Sequence, residues 1–421
     1  MIKANDITRK SWIKYDETTD FPIQNIPFGV FKTQKEEVHI GTIIGDTVIS
    51  LSKLEALGYF KGIKLESNTF QQETLNTFLK QTKDTWRAVR DRIAILFDNN
   101  NTELKHQDNH KKMILFSVKE TQNLMPVEVG DYTDFYSSKD HAMNVGKMFR
   151  DPENALLPNW LHIPVGYHGR ASSIVISETN IKRPSGQVLP KGSKNPIFSK
   201  SKLLDFELEM AFITGNGKKM GESISTKEAE NYIFGLCLFN DWSARDIQKF
   251  EYVPLGPFLG KSFASSMSPW IVTLDALENF KIAGEKQSPE VANYLKYKGD
   301  KNYDILLKVF IKTSDGDVTQ ISKSNFRYMY WNMCQQLAHH TINGCNIRAG
   351  DVMASGTISG PKEHEYGSML ELSWAGQKEI QLKNGQKRKF LMDNDTVIIQ
   401  GFSKNKDIKI GFGQVKNKII E

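Results

Sequence analysis

Residues 203–212 read LLDFELEMAF, and the strict alternation of this stretch turns sequence into geometry. Side chains on a strand point to its two faces in turn, so Leu204, Phe206, Leu208 and Met210 fall on one face and Asp205, Glu207 and Glu209 on the other. Same-face neighbours lie about 6–7 Å apart along a strand. Carboxylates at that spacing can converge on one cation, and without a cation they repel one another. The competing reading is the solvated face of an antiparallel sheet, and alternation alone does not choose between the two.

Around this strand the text from about residue 123 onward is mostly β-like: short runs of Val, Ile, Phe and Trp broken by Gly and Pro, with few helices. The fold class expected is α+β, mainly β. Two helices are predicted in this region. Ser225 and Glu228 have capping-box spacing with Gly235 as a stop, and Ser324 is expected to cap a stripe of Phe326, Met329, Tyr330, Met333 and Leu337 that ends at Asn343 and Gly344. GNGKKMG, residues 215–221, spaces its third glycine too far for a dinucleotide fingerprint and reads as a hairpin loop. GTISG, residues 356–360, lacks the nucleophile-elbow spacing. The basic run KNGQKRKF, residues 383–390, has a turn signal at Asn384 and Gly385 and reads as a charged hairpin rim.

Upstream, Thr42 to Ile44 and Thr47 to Leu51 flank Gly45 and Asp46 and predict a hairpin. Trp86, Val89, Ile93 and Leu96 then recur at helical spacing behind Thr82, which predicts an amphipathic helix over residues 82–97. Residues 98–112 carry no periodicity and read as a surface loop leading to a short strand near Ile114 to Val118. A boundary near residues 119–125 separates a small module, residues 1–122, from a larger one, residues 123–421.

A chain of 421 residues with 39% apolar and 25% charged side chains has ample surface to bury, which excludes fibrous and disordered classes. Its 55 basic and 49 acidic residues give +6, short of a nucleic-acid footprint. Cys237, Cys334 and Cys345 cannot all pair and form no CxxC, so a reducing compartment is expected. The charged first twenty residues hold no apolar h-region, and no later run is long enough to span a bilayer. The expectation is a cytoplasmic protein with neither membrane nor nucleic acid as partner.

Two more acids sit where chemistry is plausible. Asp241 follows the apolar run YIFGLCLFN, and Asp134 lies in the hydroxyl-rich segment DYTDFYSSKDH. Hard oxygens without thiolates favour Mg²⁺, Ca²⁺ or Mn²⁺ over zinc. His141 is either a base that activates water or a helix-surface histidine. His339 and His340 are adjacent on a predicted helix and diverge by about 100°, so they read as packing or capping residues.

Five strings together, DYTDFYSSKDHAMNVGKMFR, NALLPNWLHIPVGYHGRASSIV, LLDFELEMAF, FNDWSARDIQKFEYVPLGPFLGKSF and SGTISG followed by GSMLELSW, resemble the fumarylacetoacetate hydrolase family. With DFPIQNIPFGVF at the N-terminus, the resemblance runs from about Asp20 to Gly413. It implies an SH3-like β barrel followed by a catalytic domain of mixed β-sandwich roll type, and a homodimer. It implies a divalent metal, Mg²⁺ or Ca²⁺, held by Asp134, Glu207, Glu209 and Asp241, with Lys261 and Ser265 in the metal set and Asp205 outside it. His141 is implied as the base, oriented by Glu371; Arg245, Gln248 and Lys261 would stabilise a departing carbanion. Tyr136, Arg150, Tyr167, Gln248, Tyr252 and Thr357 would contact the substrate. The reaction implied is hydrolysis of a β-diketo acid, fumarylacetoacetate, to fumarate and acetoacetate. The chain departs from the family at Ala264 and Ser265, where Gly and Thr are expected. Alanine there puts any left-handed backbone in question, while serine keeps the hydroxyl.

Overall fold

The structure, a computed structural model, describes residues 2–421. Its centre is a mixed eight-stranded sheet running Gly166–Gly169, Tyr132–Phe135, Val352–Ala354, Leu208–Thr214, Ile233–Asp241, Ser265–Met267 and Ile174–Ile176, with Val272–Thr273 paired beside Ile233–Asp241. The alternation of Leu208–Thr214 sorts its side chains between two cores. Leu208, Met210 and Phe212 join Leu307, Val309, Ile311, Val397 and Ile399 of a second, five-stranded sheet. Ala211 and Ile213 join Val30, Ile40, Ile44 and Ile49 of the N-terminal sheet. The central sheet is therefore covered on both faces, which rules out the solvated-face reading: Asp205, Glu207 and Glu209 are all buried. Each large apolar side chain so buried contributes about 1.5–3 kcal/mol, which offsets the placement of acids inside.

The N-terminal sheet is antiparallel, in the order Leu115–Ser117, Thr47–Ser50, Val38–Ile44, Gly29–Thr33, Thr121–Leu124. Its edge strands are joined by only the 3₁₀ turn Val118–Glu120, so the sheet curls until its edges approach, but they do not pair. It is an open, curled sheet rather than a closed barrel. The hairpin at Gly45 forms as the sequence predicts. So does the helix Lys83–Leu96, whose N-cap Thr82 accepts from the Thr85 N–H and whose Val89, Ile93 and Leu96 are fully buried.

Three sequence expectations fail locally. The loop expected over residues 98–112 contains a helix, Asp108–Ile114, which has no side-chain N-cap to announce it. Ser225 and Glu228 do bond to each other, but only the 3₁₀ turn Ala229–Asn231 follows. Gly235 lies inside the strand Ile233–Asp241, where a Cβ would meet the Val272 carbonyl at 2.3 Å, so close backbone approach, not helix termination, requires glycine there. Ser324 belongs to the strand Val318–Asn325, and the helix that follows, Met333–Thr341, is capped by Asn332 in a capping box with Gln335. No helix of the described residues is long and apolar enough to cross a membrane.

Candidate metal centre and active site

Strand register places four sequence-distant acids at one end of the central sheet. Asp134 pairs with Ala354 on one side and Tyr167 on the other. Leu208 stands opposite Asn240, so Glu209 at the start of one strand and Asp241 at the end of its neighbour emerge together; Asp241 in turn faces Ser265. The strand breaks at Phe206 and Glu207, which brings Glu207 to the same place and turns Asp205 away. One oxygen from each of Asp134, Glu207, Glu209 and Asp241 lies within 4.8 Å of the others, and all four residues are buried.

The surroundings fit a dication. Lys261 Nζ lies 2.6 Å from Asp241 and 2.9 Å from Glu207, and Arg245 Nη1 lies 2.7 Å from Glu207. Ser265 and Tyr167 hydroxyls donate to the two oxygens of Asp241 at 2.8 and 3.0 Å. Four carboxylates thus face two fixed cations, and a divalent ion neutralises the remainder. Asp134 Oδ1 and Glu209 Oε1 are buried with no hydrogen-bond partner, an arrangement a protein tolerates where an ion accepts them. Burial, with Asp241 beside it, pushes Asp134 well above the usual carboxylate range, and burial with Asp134 does the same to Glu209. Burial also acts against Glu207, but Lys261 and Arg245 outweigh it and hold that carboxyl well below the usual range. The same acids outweigh the burial of Lys261 and raise it. As an ammonium it offers no lone pair to a metal, so its part in the metal set is that of a counter-charge.

Beside this cluster stands a histidine with its orienting carboxylate. His141 lies on the helix Lys139–Phe149, whose N-cap Ser138 accepts from the His141 N–H, and it is 4% exposed, not a surface residue. Its Nδ1 lies 2.7 Å from Glu371 Oε2, and Tyr136 packs edge-on against the ring. Glu371 also accepts from Asn144 Nδ2 at 2.9 Å, Ser359 Oγ at 2.8 and 2.9 Å, and Ser368 Oγ at 2.9 Å. Burial alone would raise this carboxyl, but His141 and these donors lower it, so it stays ionised and presents an acceptor to Nδ1. That fixes the ring with Nε2 as the free base.

The other expected residues divide into two groups. Gln248 Oε1 lies 3.3 Å from Arg245 Nη1, and Thr357 Oγ1 is buried without a partner next to Gly356, whose N–H donates to Glu209. Arg150 and Tyr252 are not drawn in: both are exposed, and the Arg150 guanidinium donates to the Ala155 carbonyl. Ala264 has no positive φ, so the departure from glycine strains nothing. His339 and His340 bond Tyr294 and Thr133 and stand apart from the acids, as packing residues should. Sequence reasoning passed over Asn144, Ser359 and Ser368. One signal was available: Ser368 and Glu371 have capping-box spacing, and Ser368 caps the turn Met369–Leu372.

Two family models match the chain: "Fumarylacetoacetase N-terminal" over residues 24–126 and "Fumarylacetoacetate (FAA) hydrolase C-terminal" over residues 131–420. The fumarylacetoacetase of Homo sapiens is 50% identical over 412 residues, covering 97% of this chain and 98% of the human protein. That of Dictyostelium discoideum is 49% identical over 417 residues, 98% of each chain. That of Arabidopsis thaliana is 48% identical over 414 residues, again 98% of each. Among solved structures, a fumarylacetoacetate hydrolase from psychrophilic Exiguobacterium antarcticum shares the fold, with a TM-score of 0.52 at 16% identity over 94% of this chain and 99% of that one. From end to end, then, this chain belongs to the fumarylacetoacetate hydrolase family.

Proposed function

We propose that the chain hydrolyses the carbon-carbon bond of 4-fumarylacetoacetate, giving fumarate and acetoacetate, the last step of tyrosine and phenylalanine breakdown. The observation that carries this reading is the buried acid set standing beside an oriented histidine: Glu207 forms a β-bridge with Ser368, whose hydroxyl donates to the Glu371 carboxylate that holds His141. Asp134, Glu207, Glu209 and Asp241 would hold Mg²⁺ or Ca²⁺, with Mn²⁺ as a third choice, and Ser265 and Lys261 complete the polar surround. The ion, when bound, supplies Lewis acidity toward the two oxygens of the β-diketone.

The chain's own residues do the rest. His141 Nε2 takes a proton from water as the water oxygen attacks the carbonyl, and Glu371 at Nδ1 stabilises the imidazolium that results. The carbon-carbon bond then breaks, and its electron pair leaves as an enolate-like carbanion that takes up a proton. Arg245, Gln248 and Lys261 face the oxygen on which that charge rests. Tyr136, Tyr167 and Thr357 would line the substrate, while Arg150 and Tyr252, both exposed, would have to turn toward the site to meet its terminal carboxylates.

Residues 1–122 form, on this reading, an SH3-like module and residues 123–421 the catalytic domain. A homodimer is supported by an apolar surface at Val253, Leu255 and Phe258, which are 68%, 97% and 68% exposed. Three reduced cysteines suit the cytoplasm. Given fumarylacetoacetate, the purified protein should release fumarate and acetoacetate in equal amounts. Cleavage of a smaller acylpyruvate but not of fumarylacetoacetate would overturn the assignment.

A further inference from the structure

Asp205, the third acid of the alternating strand, stays outside the metal cluster and yet is fully buried. Its two oxygens accept three bonds. Oδ2 takes Arg245 Nε at 2.8 Å and the Leu370 N–H at 3.0 Å, and Oδ1 takes the Met369 N–H at 2.6 Å. Arg245 is one residue proposed to meet the departing carbanion. Met369 and Leu370 open the single turn, Met369–Leu372, that carries Glu371. With Nε held by Asp205 and Nη1 by Glu207, the guanidinium has two edges fixed, and its buried Nη2 has no partner in the chain.

We propose that Asp205 is a positioning residue: one carboxylate aligns Arg245 toward the leaving oxygen and, through the turn at Met369, holds Glu371 in register with His141. The inference rests on the reading of Arg245 as a group that stabilises the carbanion. Anchoring of this kind, one bond from each of two carboxylates, is worth more to the reaction than to substrate binding, because the free Nη2 meets full charge only as the bond breaks. The role therefore belongs in kcat, with KM little moved.

Asp205→Asn keeps the shape and an oxygen for the Met369 N–H, but turns an amide donor toward Arg245 Nε and the Leu370 N–H, which share Oδ2. Wild type, Asp205→Asn, Arg245→Lys and the double variant are compared for kcat, KM and calorimetric Mg²⁺ affinity. Asp205→Asn should lower kcat by about tenfold or more, with KM and Mg²⁺ affinity within about threefold of wild type. In the Arg245→Lys background the same change should cost several-fold less than it does in wild type, because the route through Arg245 is already lost and only the one through the Met369 turn and Glu371 remains. Wild-type kcat in Asp205→Asn, a loss confined to KM, or equal losses in both backgrounds would overturn the inference while leaving Arg245 in place. Wild-type kcat in Arg245→Lys would instead remove the reading on which the inference rests. If Asp205→Asn does not fold, Asp205→Glu, which keeps the charge and moves it by one methylene, gives the same split in kcat and KM; failure of both to fold overturns the proposal in favour of a purely structural acid.

Discussion

Replacing Glu371 by Gln leaves the side chain's shape intact and exchanges one acceptor oxygen for a donor, which isolates the role of the carboxylate. Donors from four residues converge on its oxygens: His141 Nδ1 at 2.7 Å, Asn144 Nδ2 at 2.9 Å, Ser359 Oγ at 2.8 Å and Ser368 Oγ at 2.9 Å. If the amide nitrogen faces His141, Nδ1 must become the acceptor and Nε2 then carries the proton, which removes the base. If it faces Asn144, two donors oppose each other, and the imidazolium loses its counter-charge. Serine hydroxyls can rotate to adapt, whereas His141 adapts only by moving its proton to Nε2 and Asn144 only by turning its amide over. By comparison with a triad histidine deprived of its carboxylate, kcat should fall by roughly 10²- to 10⁴-fold, about 3–5 kcal/mol of barrier. The opposed buried donor should cost about 1–3 kcal/mol of stability. Substrate KM and calorimetric Mg²⁺ affinity should stay near wild type, because Glu371 is outside the acid cluster. The assay is the loss of fumarylacetoacetate absorbance at saturating substrate. A variant that keeps more than about a tenth of the wild-type kcat would refute the orienting role.

Other perturbations follow from the same geometry. Asp241→Ala should weaken Mg²⁺ or Ca²⁺ binding and leave Lys261, Ser265 and Tyr167 without their shared acceptor; unchanged calorimetric affinity would count against the acid cluster as the metal site. Asp134 and Glu209, raised by burial, hold protons more tightly in the folded metal-free chain than in the unfolded one. Their contribution to stability is therefore complete below the ordinary carboxylate range and is lost as pH rises through their raised values. A cation displaces those protons, so the increase in Tm on adding Mg²⁺ should grow from about pH 5 to about pH 8, and a flat or inverted trend would refute this. Gly146→Ala would set a Cβ 2.0 Å from the Ala155 carbonyl oxygen at the end of the helix that carries His141. It should lower stability by about 1–3 kcal/mol in denaturant unfolding, and a neutral result would mean that the loop after Arg150 yields freely.

What the sequence disclosed was set by how local the cause was. Thr82 and the apolar stripe behind it sit within a few turns of chain, and the helix Lys83–Leu96 follows the pattern to its cap. Gly385 similarly marks its hairpin, Ile380–Gln381 with Lys387–Arg388. The stripe from Phe326 to Leu337 misled because a strand end and a 3₁₀ turn, Phe326–Tyr328, can imitate helical spacing until Asn332 begins the true helix. The alternation at residues 203–212 marked its acids as a group, but not that Asp205 would part from Glu207, because the break after Asp205 depends on the turn Met369–Leu372 arriving from elsewhere. Nor could periodicity join Asp134 to Glu209: the strand between them, Val352–Ala354, lies more than a hundred residues from either. Those meetings came from resemblance. Asn144, Ser359 and Ser368, which saturate Glu371, lay in strings the resemblance had quoted without assigning them a part.

If a cation held by the four buried carboxylates serves hydrolysis of fumarylacetoacetate, removing it must stop turnover. Absorbance of the substrate is followed with purified protein, first as isolated, then after a chelator, then after Mg²⁺ is restored, with fumarate measured in each case. The chelator should abolish the loss of absorbance and Mg²⁺ restore it, with fumarate appearing in step. Turnover at the full rate in excess chelator would contradict the metal centre, and no turnover with any divalent ion would contradict the substrate.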